Sequence, residues 1–248
     1  MPDQHFIYLA DSGYAPYGER GDDYVVARTR ACAQWLMERG CKMIVLACNT
    51  ATAAAIGTLR TEFPHIQWVG IEPALKPAVA ATTTGHVAVF ATRGTLQSEK
   101  FAALVAAQPA HIHVSAVPCD GLAEAIERAD ETEIATKIIA ACAVFTTAIG
   151  QFDLKNLQYA PPDVAVLGCT HYPLVERVWR NFVPPHVQLI DPAQAVARQA
   201  ARLAGGPLGT GLKLGFATTG SPQAMQTAVA AHLHSQLSGA VQSVTIEL

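Results

Sequence analysis

Two cysteines, Cys48 and Cys169, stand in nearly the same local sequence. Laid on one another, MIVLACNT (Met43 to Thr50) and VAVLGCTH (Val164 to His171) each give an aliphatic run, a small residue, the cysteine and two polar residues. Short aliphatic runs read as strands covered on both faces. Each thiol is therefore expected at the carboxyl end of a strand leading towards a helix N-terminus, where open α/β sheets bind ligands. A thiol suits acid–base work, because its ordinary pKa of ~8.5 is close to neutral pH and a helix N-terminus favours the thiolate. Two thiols facing each other can remove a proton from one face of a carbon and return one to the other, which is what inverting a stereocentre requires. The flanking Asn49, Thr50 and Thr170, with nearby backbone N–H groups, suit substrate carboxylates through charge-assisted hydrogen bonds. A single cysteine at the end of a buried strand is ordinarily a small core residue. The duplicated context, each cysteine followed by two polar groups, argues for chemistry instead. A cysteine hydrolase would need one thiol beside a histidine and would leave the second cysteine unexplained.

Positioning these thiols requires alternating strands and helices, and the whole chain reads that way, as a largely parallel sheet with helices on its faces. Strands are expected at Phe6 to Leu9, Lys42 to Ala47, Trp68 to Ile71, His86 to Ala91, Ile112 to Val117, Val164 to Leu167, Val187 to Ile190 and Leu212 to Phe216. Between them, Asp22 to Arg39 reads as a helix with Val25, Thr29, Cys32 and Leu36 on one face and Gly40 as its stop. Further helices are expected up to Phe63 before Pro64, at Gln97 to Ala107, as a pair before Val164, at Ala193 to Leu203 and at Pro222 to His234. A glycine-rich connector, GGPLGTG, precedes the last strand.

The bulk composition narrows the class. Of 248 residues, 50% are hydrophobic and 15% charged, the balance of a globular enzyme with buried sheet. The formal net charge is −3 and no basic run occurs, which disfavours nucleic acid as a partner. The N-terminal residues lack a basic segment followed by an apolar one, and Ile134 to Gly150, the most apolar stretch, is short and interrupted by Lys137. A cytoplasmic protein with no membrane span is therefore expected. In that compartment the six cysteines stay reduced, and none forms a C-x-x-C pair that would suggest zinc. The pairs His111/His113 and His232/His234 have only loose metal-like spacing and suggest no third ligand, so no metal site is expected.

Beyond the two cysteine segments, PYG (Pro16 to Gly18), GIEPALKPA (Gly70 to Ala78) and ATRGT ending at Thr95 keep an order in which the sequence closely resembles the glutamate racemase family. The resemblance implies two pseudo-symmetric αβ domains, 1–80 with 186–248 and 81–185, crossing near Ala80 and Pro185, with the active site in the cleft between them. It implies Cys48 and Cys169 as catalytic thiols, His171 as the group assisting Cys169 and also near the substrate, and Glu127 as an auxiliary carboxylate. Tyr17 and Gly18, Asn49 and Thr50, Thr170 and His171, and Thr95 correspond to substrate contacts. The histidine after C-T separates this sequence from the related aspartate racemases, which carry Glu there. Interconversion of L- and D-glutamate without pyridoxal phosphate or metal is implied, as are a bacterial source, supply of D-glutamate to peptidoglycan and a homodimer.

Family members also carry a D-S-G-x-G-G strand–loop–helix, roughly 25 residues by ordinary element lengths, ahead of the segment matching Phe6, and this sequence shows no counterpart. Asp11 to Gly13 aligns instead with a later family aspartate that precedes PYG. The expectation is weak or absent turnover by the chain as written, with Cys48 short of a carboxylate partner. A racemase of another acidic amino acid and a silent binding or regulatory protein of the same fold are the two alternatives.

Overall fold

The computed structural model describes residues 5–150, 160–205, 213–232 and 241–247. Every strand pairing in it is parallel. The largest sheet has four strands in the order β5-β4-β6-β7, formed by β4 (His86–Ala91), β5 (His113–Pro118), β6 (Val164–Leu167) and β7 (Gln188–Ile190). Strand β4 is buried along its whole length because both faces are covered. Ala88 and Phe90 pack with Leu122, Ile138 and Trp179 on one side, while Val87, Val89 and Ala91 pack with Leu75, Ala78 and Phe101 on the other. The helices supplying those covers are α3 (Leu75–Ala81), α5 (Glu99–Ala106), α6 (Leu122–Glu127), α7 (Glu131–Gly150) and α8 (Glu176–Phe182). The sheet keeps β7, which follows the crossing expected near Pro185.

The remaining strands form two ladders. One is the pair β2 (Met43–Leu46) and β3 (Gln67–Gly70), and the other has the order β1-β8-β9, from β1 (His5–Ala10), β8 (Lys213–Thr218) and β9 (Val241–Ser243). Helices α1 (Asp22–Glu38) and α2 (Asn49–Glu62) pack on the β2–β3 pair, burying Ala33, Ile44, Ala55, Ile56, Leu59 and Trp68 together. The stripe expected on α1 is modified. Val25 and Thr29 are buried and Cys32 and Leu36 half-buried, but the most enclosed polar side chain on the helix is Arg28, with no exposed surface.

Other differences have local causes. The single helix expected over Gln97 to Ala107 is two, α4 (Arg93–Leu96) and α5, because Ser98 caps the second, its hydroxyl accepting from Phe101 N–H at 3.1 Å. A short 3-10 turn, Tyr172–Val175, intervenes between Cys169 and α8, so the second thiol does not lead directly into an α-helix as the first does. Strand β9 and helix α3 were not expected. Helices α9 (Ala193–Leu203) and α10 (Pro222–His232) complete the chain, while His234 and most of the glycine-rich connector lie outside the described residues. No helix among the described residues is long and apolar enough to cross a membrane.

Candidate active site

Cys48 follows β2 and is the N-cap of α2, in extended backbone, with its Sγ accepting from Ala51 N–H at 3.4 Å. A sulfur is an unusual cap, since Ser, Thr, Asp and Asn are the residues that satisfy free N–H groups best. Its presence fits a position selected for the thiol. Burial pushes the Cys48 thiol up to about 11; the Ala51 and Thr50 hydrogen bonds work against that, and the nearby Cys169 adds to it.

Cys169 ends β6 through Gly168, whose N–H donates to Phe90 O at 2.7 Å. A side chain at Gly168 would come within 3.0 Å of both Ala91 Cβ and Phe90 O, so glycine lets β6 lie close against β4 just before the thiol. Two residues on, His171 places Nδ1 3.8 Å from Cys169 Sγ and Nε2 2.6 Å from an oxygen of Glu127, at the end of α6. Burial alone would lower the His171 imidazolium, but its hydrogen bonds to Cys169 and Glu127, and their charges, outweigh that and hold it at about 10. The same hydrogen bond draws Glu127 below its ordinary value, against its own desolvation. Thiol, imidazole and carboxylate thus form a line that favours imidazolium beside Cys169. Tyr172 anchors the turn from below, fully buried, with its hydroxyl donating to Cys119 O at 3.3 Å.

The two cysteines are not equivalently supported. The hydrogen bonds reaching Cys48 come from Ala51 and Thr50, and no imidazole or carboxylate joins them among the described residues.

Around these thiols the structure gathers most of the other expected residues. Thr50, Thr92 and Thr95 form a ring of hydroxyls, with Oγ1 separations of 2.9 Å for Thr50–Thr92, 3.3 Å for Thr50–Thr95 and 3.0 Å for Thr92–Thr95. Thr92 was not among the expected contacts; the first threonine of ATRGT was its only signal. Gly94 N–H donates to Gly18 O at 3.0 Å, and a Cβ on Gly18 would lie 2.8 Å from the Thr92 side chain. The PYG loop therefore rests on the turn after β4. Tyr17 turns its hydroxyl away to donate to Asp11. Asn49 is buried, and neither its amide nitrogen nor its carbonyl oxygen has a partner among the described residues. It lines a small crevice with Thr95, Ile71, Glu72 and Phe101, where a polar ligand or water would satisfy it. Thr170 is half-buried beside Cys169.

Sequence reasoning also missed the network behind the PYG loop, Asp11 with Arg28 and Thr219, because it joins residues far apart in the chain.

The profile of the family described as Asp/Glu/Hydantoin racemase matches residues 1–200. A glutamate racemase of Pseudomonas entomophila is 45% identical over 205 residues, covering 83% of this chain and 74% of that protein. One of Pseudomonas putida is 42% identical over 233 residues, covering 91% and 83% respectively. Among solved structures, glutamate racemase isoform RacE1 of Bacillus anthracis superposes with a TM-score of 0.78 at 25% identity, covering 98% of this chain and 87% of that one. The Escherichia coli glutamate racemase, solved with L-glutamate and the activator UDP-MurNAc-Ala, shares the fold with a TM-score of 0.81 at 24% identity, covering 99% and 90%.

Proposed function

The chain belongs to the Asp/Glu/hydantoin racemase family, and from that membership we propose that it interconverts L- and D-glutamate by α-proton transfer between Cys48 and Cys169, supplying D-glutamate for peptidoglycan. The observation that carries the site assignment is the line Glu127–His171–Cys169 at one strand end, matched by a helix-capping thiol, Cys48, at another.

In one direction the Cys169 thiolate takes the α-proton, and the Cys48 thiol returns one to the opposite face. The enzyme is left with a Cys48 thiolate and a Cys169 thiol, ready for the other enantiomer. His171, held positive by Glu127, stabilises the Cys169 thiolate before transfer. Removing the α-proton shifts negative charge onto the α-carboxylate, which the positive N-terminal end of α2, with the hydroxyls of Thr50, Thr95 and Thr170, can meet. Asn49, without a side-chain partner among the described residues, offers its amide to the same ligand, and Tyr17 and Gly18 contribute from the loop that packs on the turn after β4.

We take the cleft to lie between two αβ domains that cross near Ala80 and again after Ile190, since β7 stays with the four-stranded sheet. The protein is proposed to act in the cytoplasm as a homodimer, which sedimentation of the purified chain would test.

The central experiment is α-proton exchange of L- and D-glutamate in D₂O by the parent, Cys48→Ser and Cys169→Ser proteins, with aspartate as a second substrate. Exchange and inversion by the parent, with inversion abolished in each variant, is the expected result. A parent that inverts aspartate and not glutamate, or a variant that inverts as the parent does, would overturn the reading.

A further inference from the structure

We propose that Arg28 is a positioning residue for the substrate loop, holding Tyr17 and Gly18 in place through Asp11. The inference rests on the reading of those two residues as substrate contacts.

Arg28 is fully buried, and its guanidinium is engaged on every side the structure describes. Nε donates to Asp11 Oδ2 at 3.0 Å and Nη2 to Asp11 Oδ1 at 2.6 Å, a two-pronged grip on one carboxylate. Nη1 donates to Ile246 O at 2.7 Å, in the C-terminal segment, and the Tyr14 ring lies 3.6 Å from the guanidinium carbon. Asp11, just past the end of β1, also accepts from the hydroxyls of Tyr17 and Thr219, the latter at 2.9 Å. The carboxylate is therefore a junction of helix α1, the PYG loop and the β8 end, with Arg28 fixing its orientation. Beyond Tyr17, Gly18 is held from the other side by Gly94 N–H and closely abuts Thr92. The loop is clasped between a charged pair behind it and the turn after β4 in front.

Stability alone is a weak explanation for such a pair. Buried ion pairs often stabilise no more than well-packed apolar residues of the same volume, because desolvating both charges offsets their attraction. What an apolar replacement cannot supply is a directed acceptor for the Tyr17 hydroxyl. Lysine could keep the charge but not the planar fork that sets the carboxylate's angle.

These points give a test in which folding and positioning separate. Arg28→Lys and the double variant Arg28→Met/Asp11→Leu would be compared with the parent by thermal unfolding, by calorimetric titration with D-glutamate and by steady-state kinetics with each enantiomer. We expect the double variant to unfold near the parent's midpoint while its Kd and KM are raised at least tenfold, as displacement of a substrate-contacting loop would cause. Arg28→Lys should show the same loss of affinity. Parental midpoint, Kd and KM in the double variant would make the pair a structural one and overturn the proposal. Parental Kd and KM in Arg28→Lys would do the same even if the double variant failed to fold. The titration does not depend on turnover to report binding, so a parent that binds but turns over slowly still decides the matter. A parent that neither binds nor inverts glutamate would refute the function itself, an outcome that no Arg28 variant can mimic.

Discussion

At the scale of single residues, the proposed chemistry depends on one imidazole held between a thiol and a carboxylate. His171 has its pKa raised from the ordinary ~6.5 to about 10, so the imidazolium persists through neutral pH. Activity that depends on it should fall as the pH rises through about 10. In Glu127→Gln, which removes one of the groups raising it, the alkaline limb should move to lower pH and kcat should drop about 10²-fold, as for loss of a positioned acid–base partner. A pH–rate profile that Glu127→Gln leaves in place would refute this role. The same shift acts on stability. Because the folded value is raised, the contribution is complete below ~6.5 and lost as the pH climbs to about 10, so His171→Gln should differ most from the parent in acid and converge with it in alkali. Much of this site was legible in the sequence, because Cys48 and Cys169 each follow an all-aliphatic strand and precede polar residues. Asp11 and Arg28 were not. An arginine within V-V-A-R-T-R looks like a solvated helix residue until tertiary packing turns it inward.

At the scale of elements, the loops after the strands carry the proposed site and their close approaches set its tolerances. Gly18→Ala would press a methyl against the Thr92 side chain at 2.8 Å, too near to be met without backbone movement. We expect KM for glutamate to rise about tenfold or more, with little change in far-ultraviolet circular dichroism, and steady-state kinetics on the variant would check it. The opposite end of the four-stranded sheet is tied by Asp163, which accepts from Thr83 N–H and hydroxyl at 2.7 and 2.6 Å, Thr84 N–H and hydroxyl at 3.1 and 2.9 Å, and the Thr82 hydroxyl. Burial would raise its pKa, but these donors hold it well below the usual carboxylate range. Asp163→Asn should therefore lower the unfolding midpoint at neutral pH by about 2–4 °C, for a loss of roughly 1 kcal/mol. The deficit should shrink below pH ~3.9 and vanish as the parent's own carboxylate takes up its proton. Equal deficits at pH 7 and in strong acid would contradict the assignment. The elements that sequence periodicity missed are those where periodicity is weakest. Strand β9 is three residues long, the 3-10 turn after Cys169 has no room for a repeat, and the break between α4 and α5 is a matter of one capping serine.

At the scale of the whole molecule, substrate is proposed to bind between two halves built from different sheets, so occupancy should tighten both. D-glutamate at 100 times its Kd should stabilise the folded protein by about 2.7 kcal/mol and raise the unfolding midpoint accordingly, in one transition. A midpoint indifferent to D-glutamate, in a protein that inverts it, would mean that the ligand does not select the folded arrangement described here. The parallel layering of helices and sheet could be anticipated from the alternation of elements. The division of the first half into two ladders, β1-β8-β9 and β2-β3, could not, because it depends on pairing between strands about 200 residues apart.

The unequal company kept by the two thiols has a thermodynamic corollary. L- and D-glutamate are mirror images and have the same free energy in water, so the equilibrium constant between them is one and kcat/KM must be identical in the two directions, whatever the side chains. His171 and Glu127 beside Cys169, set against Ala51 and Thr50 at Cys48, therefore cannot make this a better catalyst for one hand at low substrate. The asymmetry can surface only at saturation, where the enantiomer that binds the enzyme's more comfortable protonation state binds more tightly and turns over more slowly, its KM and kcat falling by the same factor.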